Sequence, residues 1–172
     1  MPSRSRGAGS VCVPQRIGGP LDERRLDRRH GRIPVLLRAV VFALPAIEIV
    51  DSRIEEWKIS IVDTVADDAS CGLYVIGSGP MPSSAFDVCA IPMSMTINDV
   101  EVSSGSGAAC LRNPIHAARW LADTLCERGI PLRAGDVVMT GALGPMKPIV
   151  AGHEITAIMS DLGSVSTRVV AE

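Results

Sequence analysis

One stretch of the chain reads firmly as an amphipathic helix, and its isolation among short apolar runs is what most limits the fold. Over 114–128, Ala118, Leu121, Ala122 and Leu125 share one face. Asn113 stands as an N-cap, Pro114 suits the first helical position, and Gly129 sits where a left-handed residue ends a helix. Around this helix the apolar residues alternate or break. Residues 87–102 predict a hairpin. Val88 and Ala90 alternate, Pro92 marks an edge or bulge, and Met93, Met95 and Ile97 alternate again. Asn98-Asp99 is a turn pair ahead of Val100 and Val102. Residues 103–107 predict a small-residue loop. Strands are expected at 136–140, along Ile155, Ala157 and Met159, and along Val165, Thr167 and Val169. Gly144, Pro145, Gly152 and Gly163 punctuate the turns between them. Upstream, 33–44 predicts a short helix, 46–50 a buried strand carrying Glu48, and 53–61 a helical or irregular stretch. One firm helix among many strands gives an α+β class, a mixed β-sheet roll.

Composition divides the chain. Residues 1–38 hold nine arginines and three acids, a local charge of +6, whereas 39–172 hold eight basic and sixteen acidic residues, a local charge of −8. That asymmetry sets 1–38 apart as a basic, disordered or non-homologous segment, with 39–172 as the folded domain. The net charge of −2 gives no reason to expect nucleic acid as a partner. No apolar run approaches the roughly 20 residues of a membrane span. The five cysteines form no CxxC pair, so they read as reduced thiols in a cytoplasmic protein.

Three places could carry chemistry. Glu48 is a carboxylate within an apolar strand, which is costly unless it is paired or binds a cation. An ion pair with Arg53 is the plain structural reading, and a hard-cation ligand for Mg²⁺ or Mn²⁺ is the functional one. Asp51 would lie on the opposite strand face from Glu48. Asp63, Asp67, Asp68 and Ser70 form a second cluster, either a solvated acidic turn or groups that orient water or substrate. Thr140-Gly141 at a strand end is either a turn or a hydroxyl and a close backbone amide for a substrate carboxylate. The two Gly-Ser-Gly runs complete no phosphate loop, the three histidines lack metal-ligand spacing, and no serine sits in a nucleophile elbow.

The run Leu44-Pro-Ala-Ile-Glu48-Ile-Val-Asp51-Ser-Arg53-Ile, with Trp57-Lys-Ile and Asp63-Thr-Val-Ala-Asp67-Asp-Ala-Ser70, resembles the 2-keto-4-pentenoate hydratases of the fumarylacetoacetase-like superfamily. Further agreement follows in order at Glu101-Val-Ser-Ser-Gly105, Asn113-Pro114, Ala134-Gly-Asp-Val, Thr140-Gly-Ala-Leu-Gly-Pro-Met146, Ala151-Gly152 and Leu162-Gly-Ser-Val165. The resemblance implies a fumarylacetoacetase C-terminal-type roll with flanking helices, in a homo-oligomer. It also implies a hydro-lyase reaction. Water adds to a 2-hydroxy-2,4-dienoate to give a 4-hydroxy-2-oxo acid in aromatic meta-cleavage catabolism, with Mg²⁺ or Mn²⁺ chelated by the substrate. Carried over by position, Glu48 corresponds to a metal ligand, Asp67 and Ser70 to the catalytic loop, and Thr140 and Gly141 to the substrate-carboxylate end. A pathway decarboxylase is the implied protein partner.

The N-terminal part departs from that pattern. The resemblance calls for a Glu-x-Glu pair supplying two more metal ligands and for an upstream catalytic Lys. Here no Glu-x-Glu precedes Glu48, and the first Lys is Lys58. The expectation is therefore an N-terminally truncated or frame-altered hydratase-like domain. A 2-oxo-3-hexenedioate decarboxylase-like enzyme and a non-catalytic remnant or assembly subunit are the alternatives.

Overall fold

The computed structural model describes residues 6–14, 40, 42–82, 85 and 87–171. Among these residues ten strands form two sheets. They are β1 Arg6–Pro14, β2 Phe42–Val50, β3 Cys71–Ile76, β4 Met81–Pro82, β5 Pro92–Ile97, β6 Val100–Ser106, β7 Val137–Ala142, β8 Lys147–Pro148, β9 Glu154–Met159 and β10 Gly163–Arg168. One sheet runs β3-β2-β1-β7, with β4 beside β2 and β8 beside β1, and the other runs β10-β9-β5-β6. Every described pairing is antiparallel. Among the described residues two α-helices accompany them, α1 Ile61–Ala66 and α2 Pro114–Glu127. The sheet-rich α+β class is borne out.

The core lies between the sheets. Alternation decides which residues enter it. Ile155, Ala157 and Met159 of β9 are all buried, as are Met93 and Met95 of β5. They meet Ala43 and Ile47 of β2, Val138 of β7, and Ile115 and Ala118 of α2 in one apolar cluster. The opposite face of β2 carries Phe42, Leu44 and Ala46, which pack with Ile76 and Met139 in a smaller cluster. Helix α2 keeps its expected signals: the Asn113 side chain accepts from the Ile115 N–H at 2.9 Å, and Gly129 ends the helix at φ 74°. The β5–β6 turn is also as expected. Asn98 and Asp99 take φ of 49° and 63°, the two left-handed positions of a type I′ turn. Asn98 further ties this hairpin tip to β9 by exchanging hydrogen bonds with Glu154.

Several expectations are corrected. Residues 42–44 are strand, not helix, and Val40 lies in no helix or strand; 33–39 and 41 of the expected helix lie outside the described residues, as does the 38/39 boundary. Pro45 is tolerated inside β2 because it falls in the gap between two partners on one side, β4 at 42–43 and β3 from Ala46 onward. Val88 and Ala90 belong to a turn closed by Asp87, whose side chain accepts from the Cys89 N–H at 2.9 Å, so the hairpin begins only at Pro92. Residues 103–106 continue β6 where a loop was expected. Arg6–Pro14, in the segment read as a disordered arm, forms a strand between β2 and β7. Its Gly, Ala and Ser content gives little strand propensity, and two flanking ladders supply what propensity does not.

Candidate functional site

Glu48 continues the smaller apolar face of β2, two residues beyond Ala46, and is half-buried. Its cross-strand neighbours are Tyr74 on β3 and Ala8 on β1. The ion pair with Arg53, one of the two readings of Glu48, is not formed, and no ion pair links Glu48 to another described residue. Arg53 turns instead to Asp67, with Nη1 2.9 Å from Oδ1. Strand β2 stops at Val50, so Asp51 lies past its end, and its N–H donates to the Ser70 carbonyl at 2.9 Å.

Asp67 is the centre of a knot. Its Oδ2 accepts from the Ser52 hydroxyl, the Arg53 N–H and the Ser70 hydroxyl, each at 3.2 Å. Arg53 also donates to the carbonyls of Asp67 and Cys71, both at 3.3 Å. The Asp67 side chain is only 8% exposed. Burial pushes its carboxyl upward, but the hydrogen bonds from Arg53 and Ser70 and the guanidinium charge outweigh that and hold it below its ordinary value. Such a carboxylate is ionised and has its lone pairs occupied, which suits it to fixing its neighbours more than to collecting a proton. The backbone it fixes is strained. Asp68, Ala69 and Ser70 take successive φ of 49°, 58° and 56°, where a side chain costs roughly 1–2 kcal/mol per residue. Ser70 is buried within this turn. The structure thus brings Asp67 and Ser70 together. Asp63 stands apart, because Ser60 and Asp63 form a reciprocal capping box at the start of α1. The Ser60 N–H and then its hydroxyl hold the Asp63 carboxyl down.

Thr140 and Gly141 sit at a β-bulge. Cys12 pairs with Met139 and Ser10 with Ala142, so these two residues of β7 oppose Val11 alone. Gly141 takes φ 117°, a conformation that side chains rarely adopt. Thr140 is buried. The stretch 103–110 grips this run at three points. The Cys110 thiol donates to the Thr140 carbonyl at 2.6 Å, and the Ser103 hydroxyl donates to the Pro145 carbonyl at 2.7 Å. Between them Gly105 lies so close that a Cβ there would fall 1.9 Å from the Leu143 carbonyl oxygen. Burial pushes the Cys110 thiol up, keeping it a neutral donor. Along β1, Glu48 is level with Ala8 and the bulge with Val11. Two strand spacings and three residues separate them, on the order of 14 Å.

Among the described residues, no group of three or more His, Cys, Asp or Glu is placed to hold a metal ion. Strand β1, which lies directly against Glu48, has the sequence Arg-Gly-Ala-Gly-Ser-Val-Cys-Val-Pro and offers no carboxylate. Glu48 alone does not fit the oxygen cage that a hard divalent cation requires. Sequence reasoning missed Ser52, Ser103 and Cys110, and it weighed Arg53 only as a partner for Glu48, not for Asp67. Each acts on a residue at least fourteen positions away, and no local spacing announces such a pairing.

The family model described as Fumarylacetoacetate (FAA) hydrolase C-terminal matches residues 28–170. Among curated proteins, 2-keto-4-pentenoate hydratase 1 of Dechloromonas aromatica (strain RCB) is 52% identical over 131 residues, covering 76% of this chain and 50% of the relative. The TodF product hydratase of Pseudomonas putida (strain F1) is 49% identical over 143 residues, covering 83% and 53%. The chain therefore spans about half the length of the curated relatives it matches. Among solved structures, the 4-oxalocrotonate decarboxylase from Pseudomonas putida G7, complexed with magnesium and adipate, superposes with a TM-score of 0.85 at 28% identity. That match covers 97% of this chain and 61% of the decarboxylase.

Proposed function

Because this chain belongs to the fumarylacetoacetate hydrolase C-terminal family, we propose that it acts as a 2-keto-4-pentenoate hydratase-like protein on a small 2-hydroxy-2,4-dienoate acid. The observation that carries the reaction class is the 52% identity to a protein of that name. In the proposed reaction the dienol takes its keto form, and water adds at the far end of the remaining double bond to give a 4-hydroxy-2-oxo acid. The Gly141 amide and Thr140 receive the substrate carboxylate. Asp67, kept ionised, orders Ser70 and its strained turn beside the site, and the Ser70 hydroxyl orients substrate or water. A divalent cation, Mg²⁺ or Mn²⁺, is part of the proposal for the whole protein, since a solved relative is described with magnesium. Glu48 would give it one oxygen ligand; the described residues do not complete the site.

A second reading is supported by the decarboxylase likeness, under which the same acid-binding end would serve a 2-oxo-3-hexenedioate decarboxylase-like reaction. Product analysis separates the two, because carbon dioxide is released only by decarboxylation. A third, a non-catalytic remnant or assembly subunit, is supported by the lone Glu48. Assembly as a homo-oligomer, with a pathway decarboxylase as a further partner, is supported by apolar surface. Ile61, Val62 and Val65 of α1 and Leu73 of β3 are all exposed. A cytoplasmic site of action belongs to the same proposal. Among the described residues, no helix is long and apolar enough to cross a membrane.

The test is a calorimetric titration of the chain with Mn²⁺ in the presence of oxalate, a mimic of the 2-oxo acid, with Glu48→Ala as control. Binding that the substitution abolishes supports a working cation site with ligands beyond the described residues. No binding by the folded protein refutes hydratase activity for this chain and favours the remnant reading.

A further inference from the structure

A trans peptide points its carbonyl and its N–H in opposite directions, so anchoring one aims the other. No cis peptide occurs among the described residues. The carbonyl of the Thr140–Gly141 peptide is anchored by the buried Cys110 thiol, and the bulge takes that peptide out of the regular β1–β7 register. We propose that Cys110 is a positioning residue, its thiol holding the Thr140 carbonyl so that the Gly141 N–H is aimed away from the core as the donor to a substrate carboxylate. This rests on the assignment of Thr140-Gly141 as the carboxylate end under the proposed function.

Three features make the contact more than packing. The thiol reaches a backbone oxygen thirty residues away, where an apolar side chain of the same size would fill the space without orienting the peptide. Its own backbone is fixed, because the Cys110 N–H donates to the Gly107 carbonyl at 3.1 Å. Gly107 in turn lies so close to Val88 that a Cβ there would fall 1.8 Å from the Val88 carbonyl oxygen. The donor is therefore built into a rigid stretch that also holds Leu143 and Pro145. The thiol is also the one neighbour in the direction of a side chain at Gly141: a Cβ there would meet the Cys110 sulfur at 3.2 Å and no other heavy atom within 4 Å.

The experiment is amide NMR on the full chain, comparing the natural protein with Cys110→Ala and Cys110→Ser, first alone and then titrated with sodium pyruvate in Mg²⁺ buffer. Without ligand, loss of a hydrogen bond to the Thr140 carbonyl changes the polarisation of the shared peptide. Cys110→Ala is expected to move the Gly141 amide nitrogen while α2 and β9 amides stay in place, and Cys110→Ser to restore it. With pyruvate, the Gly141 amide of the natural protein is expected to titrate. Cys110→Ala should bind about fivefold more weakly, the worth of one neutral hydrogen bond, and Cys110→Ser within about twofold of the natural protein. A Gly141 amide unmoved by Cys110→Ala before ligand is added overturns the positioning role and leaves the proposed function standing. Equal pyruvate affinity in all three proteins does the same. Pyruvate that never perturbs Gly141 in the natural protein overturns the carboxylate assignment, and the role of Cys110 with it. Should Cys110→Ala fail to fold, the Cys110→Ser comparison still decides, since a serine that shifts Gly141 and weakens pyruvate as far as a lost donor would contradicts rescue.

Discussion

Replacing Gly105 with alanine tests the closest backbone approach around the bulge. A Cβ at this position would stand 1.9 Å from the Leu143 oxygen, 3.0 Å from its carbonyl carbon and 3.2 Å from the Gly144 Cα. Ordinary contact begins near 3.4 Å, so β6 and the 143–144 backbone must separate by roughly 1.5 Å. Neither side yields cheaply, because all three contacts are backbone and Leu143 is fully buried. Overpacking of a well-filled core costs about 1–3 kcal/mol and sometimes more, and this geometry belongs at the upper end, about 3 kcal/mol. For a chain of this length that lowers Tm by about 6–12 °C. Urea unfolding followed by circular dichroism measures the loss as a fall in midpoint at unchanged slope. Gly79→Ala is the internal control, since its Cβ would meet nothing within 4 Å. It should be neutral or stabilise by up to about 1 kcal/mol through the unfolded chain. A Gly105→Ala protein within about 0.5 kcal/mol of the natural one would refute the claim that this contact is rigid.

Two further expectations concern the knot and the core. The folded-state pKa of Asp67 is depressed, so its contribution is fully present above the ordinary carboxylate value and is lost as pH falls through the lower folded value. Asp67→Asn should therefore flatten the acid limb of a plot of urea midpoint against pH below about pH 4, with the share from Asp63 remaining; an unchanged acid limb would show that the knot does not hold the carboxylate down. Ile155→Ala removes a fully buried side chain at the centre of β9 and should cost about 2–5 kcal/mol in the same unfolding assay, whereas Ile158→Ala, on the half-exposed side of that strand, should cost far less.

Legibility in the sequence followed the range of the interaction. Helix α2 was plain because its cap, its first proline and its terminal glycine all act within a few residues. The same holds for the Asn98-Asp99 turn and for the alternation of Ile155, Ala157 and Met159. What failed was set by distant partners. Arg53 lies close to Glu48 in sequence, but the chain past Asp51 leaves the strand, and the guanidinium meets Asp67 where the turn returns. Residues 103–107 looked like a loop because small residues are read as flexible. Here they are small so that one backbone can lie against another, at Leu143 and at Val88. Strand β1 had no period to read, since its conformation is imposed by ladders on both sides. At the candidate site, the sequence singles out Glu48, Asp67, Ser70, Thr140 and Gly141 as candidates, but the donors that orient Asp67 and the bulge carry no local signal.

The central place of β1 has a consequence for how this protein is made. One of its ladders, to β2, can close early in synthesis. The other, from Pro14 to Val137, waits until Val137 has left the ribosome. At translation rates of about 5–20 residues per second, the nascent sheet spends seconds with a central strand bare on one side. Slower translation across 50–137 should therefore lengthen that exposure and lower the yield of soluble protein.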